Sequence, residues 1–373
     1  MRIYLSLFYF SYFSLVGVYV MFMPEALTGF GYSKSEVGTV YAVAPIIRFL
    51  LPFIFKYYIK LTAKIYLLAL FLTFIASLLF IGTVHNFYFH LFSNAILGAA
   101  MGITLPYVET ISLQQLSKKM YGKIRLWGSV GFILIALWLG KIDASPIEII
   151  YYLCVTTFFT WIFGYFILQF DTYEATRESD IEKGFSLQRY WAFWVSIFLM
   201  QVAFGGFYTF FTIYEAEQGV SKEIISYLWS FAVVCEILML YFQGPLLQRN
   251  LLTLLKAATL ITAFRWLLLY LYPSSLEITF FSQSLHAISF ALYHTAAISY
   301  VFSIYTQKRL AQQFFLGISF GLGGGVGSLV SGYIYESKAY GEYLFLVESL
   351  ITIAAFIMLL IHTKRKKAIL LKE

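Results

Sequence analysis

Stretches of about 20 consecutive, mostly apolar residues follow one another from one end of the chain to the other, parted by short polar breaks. As a helix rising about 1.5 Å per residue, each is long enough to cross about 30 Å of hydrocarbon. The stretches are apolar on every side and do not alternate, which excludes the strands of a closed barrel. Helices pair their own backbone groups and are the remaining structure that lipid tolerates. Twelve spans are predicted: Tyr4–Leu27, Glu36–Phe55, Ile65–Val84, Phe87–Ser112, Leu126–Gly140, Ile147–Phe170, Tyr190–Tyr214, Ile224–Phe242, Leu254–Tyr272, Ile278–Tyr300, Phe314–Tyr335 and Tyr343–His362. The fifth is short as bounded and reads as starting nearer Tyr121. The first begins almost at Met1 and is too long for a signal-peptide core, so it is expected to stay as the first helix.

Composition agrees with a bilayer as the solvent. The chain is 60% hydrophobic and 12% charged, with 39 Phe and 30 Tyr, against about 45–50% apolar and about 25% charged residues in soluble domains. The net charge of +7 is explained by its distribution. Arg2, Lys56, Lys60, Lys64, Lys118, Lys119, Lys123, Arg125, Arg177, Lys183, Arg189, Arg249, Lys256, Lys308 and Arg309 fall in alternate loops. With the tail residues Lys364, Arg365, Lys366, Lys367 and Lys372 they put twenty basic residues on one side. The opposite loops hold Lys34, Lys141, Lys222 and Lys338. The positive-inside rule then predicts that both termini are cytoplasmic, which an even number of spans requires, and the expected setting is a multi-pass protein of a bacterial-type inner membrane. The charge is therefore not a nucleic-acid signal. The basic tail reads as a topology anchor, with a lipid- or partner-binding patch as its rival. Cys154 and Cys235 lie inside apolar stretches and read as small core residues; no disulfide, metal or cofactor is expected.

The longest polar segment follows the sixth span and mixes charges of both signs. It divides the chain into an N-terminal six-helix bundle (1–170), a cytoplasmic linker (171–189) and a C-terminal six-helix bundle with a short basic tail (190–373). The halves repeat. Gly31-Tyr-Ser-Lys34 after the first span answers Gly219-Val-Ser-Lys222 after the seventh, at an offset of 188. The same offset places Arg48 opposite Glu236, and Leu51-Pro52 has a counterpart in Gly244-Pro245. The expected fold is an all-α membrane protein of twelve helices in two pseudo-symmetric bundles, the architecture in which repeats meet around a midplane binding site.

Ionisable residues at membrane depth cost several kcal/mol and are functional candidates, with structural ion pairs as the rival reading. Arg48, Glu236 and Arg265 fall near mid-depth, Glu109 in the second half of the fourth span, His286 and His294 in the tenth, and Glu348 in the twelfth. Arg48 offers a fork of donors to an anionic or hydroxyl-rich substrate, or it pairs one helix with another. Glu236 carries a proton, or it forms a salt bridge with Arg265. Glu348, on a peripheral helix, reads as structural. Gln283, His286, Phe290, Tyr293 and His294 share a broad face at helical spacing, as a pocket for an aromatic or sugar-like solute requires; satisfied interior histidines are the alternative. Glycines gather in the fifth and eleventh spans, at Gly122, Gly128 and Gly131 and from Gly317 to Gly332, where small residues let backbones approach closely.

Several motifs are then specific. Phe8-Tyr-Phe-Ser with Gly17 and Pro24, Pro106-Tyr-Val-Glu109, the run from Tyr121 through Arg125 and Trp127-Gly128 to Gly131, and Arg265 followed by Leu285-His286 resemble the lactose-permease-type branch of the major facilitator superfamily. Within it they are most similar to the 3-phenylpropionate-permease-like and nucleoside:proton symporter group. The resemblance implies that Glu109 and Arg125 are the carboxylate–arginine pair that holds substrate, and that Phe132 stands where a tryptophan stacks on it. It likewise implies that Arg265 and His286 belong to a proton-coupling and gating cluster, with Glu236 near a substrate carboxylate. There are departures. Ser289 replaces an acid one turn after the histidine, the acids of the seventh helix are absent, and the loop motif after the second helix is reduced to Phe55-Lys-Tyr-Tyr-Ile-Lys60. Proton coupling, if present, then falls to Glu236 or Glu109.

The expected activity is secondary active transport, by alternating access, of a small organic solute (an arylalkanoate, a nucleoside or a sugar-like compound) imported with protons. Export of aromatic or amphipathic compounds in exchange for protons would use the same cavity chemistry. A membrane sensor or lipid-modifying enzyme lacks support: no nucleotide-binding loop, metal cluster or nucleophile–base pair is found. The expected partners are the solute, protons and the bilayer, and the expected state is a monomer.

Overall fold

The structure is a computed structural model and describes residues 1–57, 61–171, 186–337 and 341–370. Most of the expected linker (172–185), Lys338 and Lys372, and the last residues of the loop motif ending at Lys60 lie outside the described residues.

Among the described residues, twelve helices are long and apolar enough to cross a membrane: α1 (Arg2–Gly29), α2 (Lys34–Phe55), α3 (Ala63–Thr83), α4 (Phe87–Gln115), α5 (Met120–Ile142), α6 (Pro146–Phe170), α7 (Gln188–Glu217), α8 (Lys222–Phe242), α9 (Leu251–Leu271), α10 (Leu276–Ile304), α11 (Leu310–Glu336) and α12 (Gly341–Lys366). No strand occurs among them. Several helices outrun their apolar stretches. Helix α5 starts at Met120 and takes in Lys123 and Arg125, and α11 starts before Phe314. Helical hydrogen bonding continues past the apolar window because a helix end can stay helical in polar surroundings, whereas hydropathy stops at the first charges.

Side chains fix many of the helix starts. Thr62, Asn86, Ser117, Asn250 and Ser275 each accept a bond from the backbone N–H three residues on, satisfying one of the otherwise unpaired donors of a first turn. Ser33 and Glu36 exchange bonds as a capping box, Ser33 N donating to Glu36 Oε2 (2.9 Å) and Glu36 N to Ser33 Oγ (3.2 Å).

The repeat is visible bond by bond. Gly31 (φ 94°) ends α1 and Gly219 (φ 82°) ends α7, both in the left-handed region that a side chain disfavours. Tyr32 N donates to Leu27 O and Val220 N to Glu215 O, each at 3.1 Å. Gly31 N and Gly219 N donate to Thr28 O and Ala216 O, each at 3.0 Å. The lysine that follows each glycine finds an acid in the other half of the sequence: Lys34 pairs with Glu217 (2.7 Å), and Lys222 with Asp143 (3.0 Å) and Glu25 (3.7 Å).

Two compact units result: Met1–Arg177 with Thr209–Ser230, and Glu178–Tyr208 with Phe231–Glu373. The first thus holds α1–α6 together with the C-terminal end of α7 and the N-terminal end of α8. Within it α1 packs on α5 and α6, α3 on α4 and α6, and α2 on α4; in the second, α9 packs on α12 and α10. Glycines set the closest approaches. Gly131 of α5 lies against the Phe10 backbone of α1, and Gly327 of α11 against the Val202 backbone of α7. Among the described residues, three helices contain a π turn: α1 at Val18–Phe22, α10 at Ala287–Leu292 and α11 at Gly317–Gly323.

Candidate functional site

In the first unit, α1, α4 and α5 bring Glu109, Tyr121 and Arg125 together. Arg125 Nε donates to Glu109 Oε1 at 3.4 Å, and the Tyr121 hydroxyl reaches the same oxygen at 3.5 Å. These are long bonds between half-buried groups (Arg125 31% and Glu109 33% exposed), the geometry of a pair that can open. The Arg125 guanidinium lies over Phe13 at 4.0 Å and near Tyr9 at 5.3 Å, and the Tyr9 hydroxyl is held by Ser112 Oγ at 3.1 Å. Gly128, one turn after Arg125, leaves room for this stacking: a Cβ there would stand 2.8 Å from the Phe13 ring and 3.0 Å from Arg125 Nη1. Phe132 is 9% exposed, its ring beside Gly17 of α1.

Arg48 of α2 stands apart. Its aliphatic stem crosses Gly102 of α4, where a Cβ would lie 2.8 Å from Arg48 Cγ. Its side chain is exposed at mid-helix, and its charge acts on the hydroxyls of Tyr12 and Tyr19. It makes no hydrogen bond or ion pair with any described residue. Nearby, Asn94 accepts from the Tyr19 hydroxyl (2.7 Å) and donates to Val40 O (2.6 Å), while the Tyr41 hydroxyl donates to Tyr19 O beside the π turn of α1.

In the second unit, Arg265 of α9 is fully buried. Nη1 donates to His286 Nδ1 (3.1 Å) and to Ser289 Oγ (3.2 Å), and Nη2 donates to Gln283 Oε1 (2.8 Å). The guanidinium also lies over Phe207 (4.5 Å) and Trp266 (4.6 Å). Because Nδ1 of His286 accepts, its proton sits on Nε2, which faces Glu236 Oε2 at 3.6 Å. The direct Glu236–Arg265 salt bridge weighed from the sequence does not form. The histidine stands between them, because Arg265 turns its donors toward α10.

The expected stripe on α10 is split by the π turn. Gln283 and His286 hold Arg265 and are enclosed, whereas Tyr293 and His294 line a small pocket with Gln201 of α7 and Phe315 and Phe320 of α11. Ser289 and Phe290 line it as well and connect it to the Arg265 cluster. His286 stacks on Phe290 at 5.0 Å. The Tyr293 hydroxyl and His294 Nδ1 are buried with no hydrogen-bond partner among the described residues. The sequence reading missed Ser289 as a ligand of the arginine and missed the π turn altogether. The interval from His286 to Tyr293-His294 carries no mark of an extra residue in the turn, so the sequence offered no signal for it.

The sequence matches the family model described as "MFS_1 like family" over residues 2–347. It is 23% identical over 358 residues to the "Probable 3-phenylpropionic acid transporter" of Escherichia coli (strain K12), covering 91% of this chain and 92% of that protein. It is 25% identical over 354 residues to the "Uncharacterized transporter YwbF" of Bacillus subtilis (strain 168), covering 90% and 86%. Among solved structures, the fold is similar to nucleoside transporter NupG with a TM-score of 0.77, at 16% identity and over 97% of this chain and 99% of that one.

Proposed function

Because the chain belongs to the MFS_1 like family and is a multi-pass membrane transporter, we propose that it imports a small aromatic carboxylate, of the arylalkanoate class, together with protons. Arg48 carries this reading: an exposed guanidinium midway along a membrane-spanning helix, with no hydrogen bond or ion pair to any described residue, is a costly charge that an anion can neutralise. The second unit, taken by itself, favours an aromatic solute independently: Phe290, Phe315 and Phe320 line a small pocket in which the Tyr293 hydroxyl and His294 Nδ1 have no hydrogen-bond partner among the described residues. The Escherichia coli relative, a probable 3-phenylpropionic acid transporter, supports the same class.

In this reading Arg48 receives the carboxylate. The loose Glu109–Arg125 pair opens to bind or gate substrate, with Phe132 behind it. Glu236 is the protonation site. As a carboxylate it draws the Nε2 proton of His286, and through Nδ1 the histidine draws on Arg265. As a neutral acid it releases both, so proton occupancy reaches Ser289 and the pocket wall through the arginine. Transport proceeds by alternating access in a bacterial-type inner membrane, by a monomer with cytoplasmic termini.

The test is uptake by proteoliposomes of 3-phenylpropionate, uridine and lactose under an inside-alkaline gradient, with and without a protonophore. Accumulation of 3-phenylpropionate alone, abolished by the protonophore, is expected. Accumulation of only the nucleoside or the sugar would overturn the substrate class. Protonophore-insensitive accumulation would overturn the coupling, and accumulation only in vesicles of inverted orientation would make the protein an exporter.

A further inference from the structure

The second unit holds another acid at the same arginine. Glu348 of α12 is 1% exposed, and neither carboxylate oxygen has a hydrogen-bond partner among the described residues. Its setting is rigid. Ser349 Oγ donates to Ala263 O of α9 at 2.8 Å, and Phe345 stacks on Trp266 at 6.0 Å, so α12 is fastened to α9 on both sides of Glu348.

Each helix around the carboxyl group contributes one feature. Helix α9 presents Arg265, whose charge acts on Glu348 and whose Nε is itself buried without a hydrogen-bond partner among the described residues. Helix α11 presents the Ser331 hydroxyl. Helix α7 presents Gly206, where a Cβ would fall on Glu348 Oε1 and on Ser331 Oγ, so the carboxyl group fills the space that this residue leaves. Further along α7, Tyr208 lies within electrostatic reach of Glu236 and Arg265.

We infer that Glu348 is a second proton-binding carboxylate of the transporter, competing with the His286–Glu236 pair for the charge of Arg265. This rests on the reading that transport is proton-coupled. A buried carboxylate that has the Ser331 hydroxyl beside it, and no hydrogen bond of standard geometry among the described residues, can be satisfied in two further ways: an approaching cation, or a proton. Arg265 has its Nη groups committed to α10 and its Nε uncommitted. When Glu348 gives up its proton, the guanidinium is drawn toward α12 and loosens its hold on His286 Nδ1 and Ser289. When Glu348 takes the proton back, the arginine returns to α10. The proton moves between Glu348 and water as the carboxyl O–H bond breaks and forms, and no other bond changes. One guanidinium thereby reads two acids in opposition, Glu236 through the histidine and Glu348 across α9.

The decisive experiment is infrared spectroscopy of the purified protein, comparing wild type, Glu348→Gln and Glu236→Gln, together with uptake of 3-phenylpropionate. Expected is a protonated-carboxyl band that persists in Glu236→Gln and is absent from Glu348→Gln. In proteoliposomes, Glu348→Gln should keep exchange of 3-phenylpropionate across the membrane and lose accumulation driven by the pH gradient. A band unchanged in Glu348→Gln, or gradient-driven accumulation at the wild-type level in that variant, overturns the inference. If wild-type accumulation ignores the protonophore, the coupling reading falls, and the band alone still decides whether Glu348 binds a proton. Should Glu348→Gln fail to fold, Glu348→Asp is read by the same band, where a shift supports the assignment and an unshifted band refutes it.

Discussion

Replacing Gly205 of α7 by alanine places a methyl group 2.5 Å from the carbonyl oxygen of Gly324, 2.8 Å from the amide nitrogen of Ser328 and 2.9 Å from the α-carbon of Gly327. All three atoms are backbone of α11, so no side chain can swing aside. Carbon contacts are most favourable at about 3.5–4.0 Å, so α11 has to retreat by about 1 Å. A gap of that size forfeits a quarter to a half of each dispersion contact along the crossing, and it lengthens the bond from Ser328 Oγ to Gly205 O, now 3.3 Å. Overpacking of this kind costs about 1–3 kcal/mol, against a gain of about 1 kcal/mol from replacing a helical glycine. Gly205→Ala should therefore destabilise the protein by up to about 2 kcal/mol. Gly324, at the same crossing, has nothing within 4 Å of its would-be Cβ, so Gly324→Ala should be neutral or stabilising by up to about 1 kcal/mol. Thermal unfolding of the purified protein, followed with a thiol-reactive dye that reports exposure of the buried Cys154, compares the two. A Gly205→Ala protein that melts at or above wild type, or a Gly324→Ala protein that melts below it, refutes the packing argument.

Arg48→Gln should leave stability in thermal unfolding within about 0.5 kcal/mol of wild type, as expected where no hydrogen bond or ion pair is lost. It should weaken apparent affinity for 3-phenylpropionate at least about tenfold, roughly 1.4 kcal/mol, in a concentration series of uptake; unchanged affinity removes Arg48 from the site. A double-mutant cycle on Glu109 and Arg125 should give a coupling below about 1 kcal/mol in stability, since the pair is long and a third exposed, while either single change to glutamine abolishes uptake; a large stability coupling with normal uptake makes the pair structural. Asn94→Ala strands the Tyr19 hydroxyl and the Val40 carbonyl and should cost about 1–3 kcal/mol in thermal unfolding. Lys34→Glu should lower the melting temperature and Glu217→Lys added to it should restore it, because their 2.7 Å pair is blind to which partner carries which sign.

Much of this was legible in the sequence, for identifiable reasons. The spans could be read because lipid leaves one kind of backbone to choose from, and apolar length measures it directly. Gly31 and Gly219 could be matched because a left-handed helix end demands glycine wherever the turn recurs. What hydropathy could not supply was rotation about the helix axis. It placed Glu236 and Arg265 at similar depth on neighbouring helices, which suggested a pair, whereas the side-chain direction of Arg265 inserts His286 between them. The number of Glu348's helix suggested a structural role, and only its facing residues, Gly206, Ser331 and Arg265, reveal an enclosed acid. The stripe on α10 was drawn at regular helical spacing, and the π turn at Ala287–Leu292 breaks that phase, giving Gln283 and His294 different neighbours.

The crossed lysines have a consequence of their own. Lys34 and Lys222 hold the same place in two matching turns, yet each is answered by an acid from the opposite half of the sequence. The two hooks are alike, and each fastens to the other's eye. Neither copy can drift freely in charge at this turn, because a change in one is felt first by its twin.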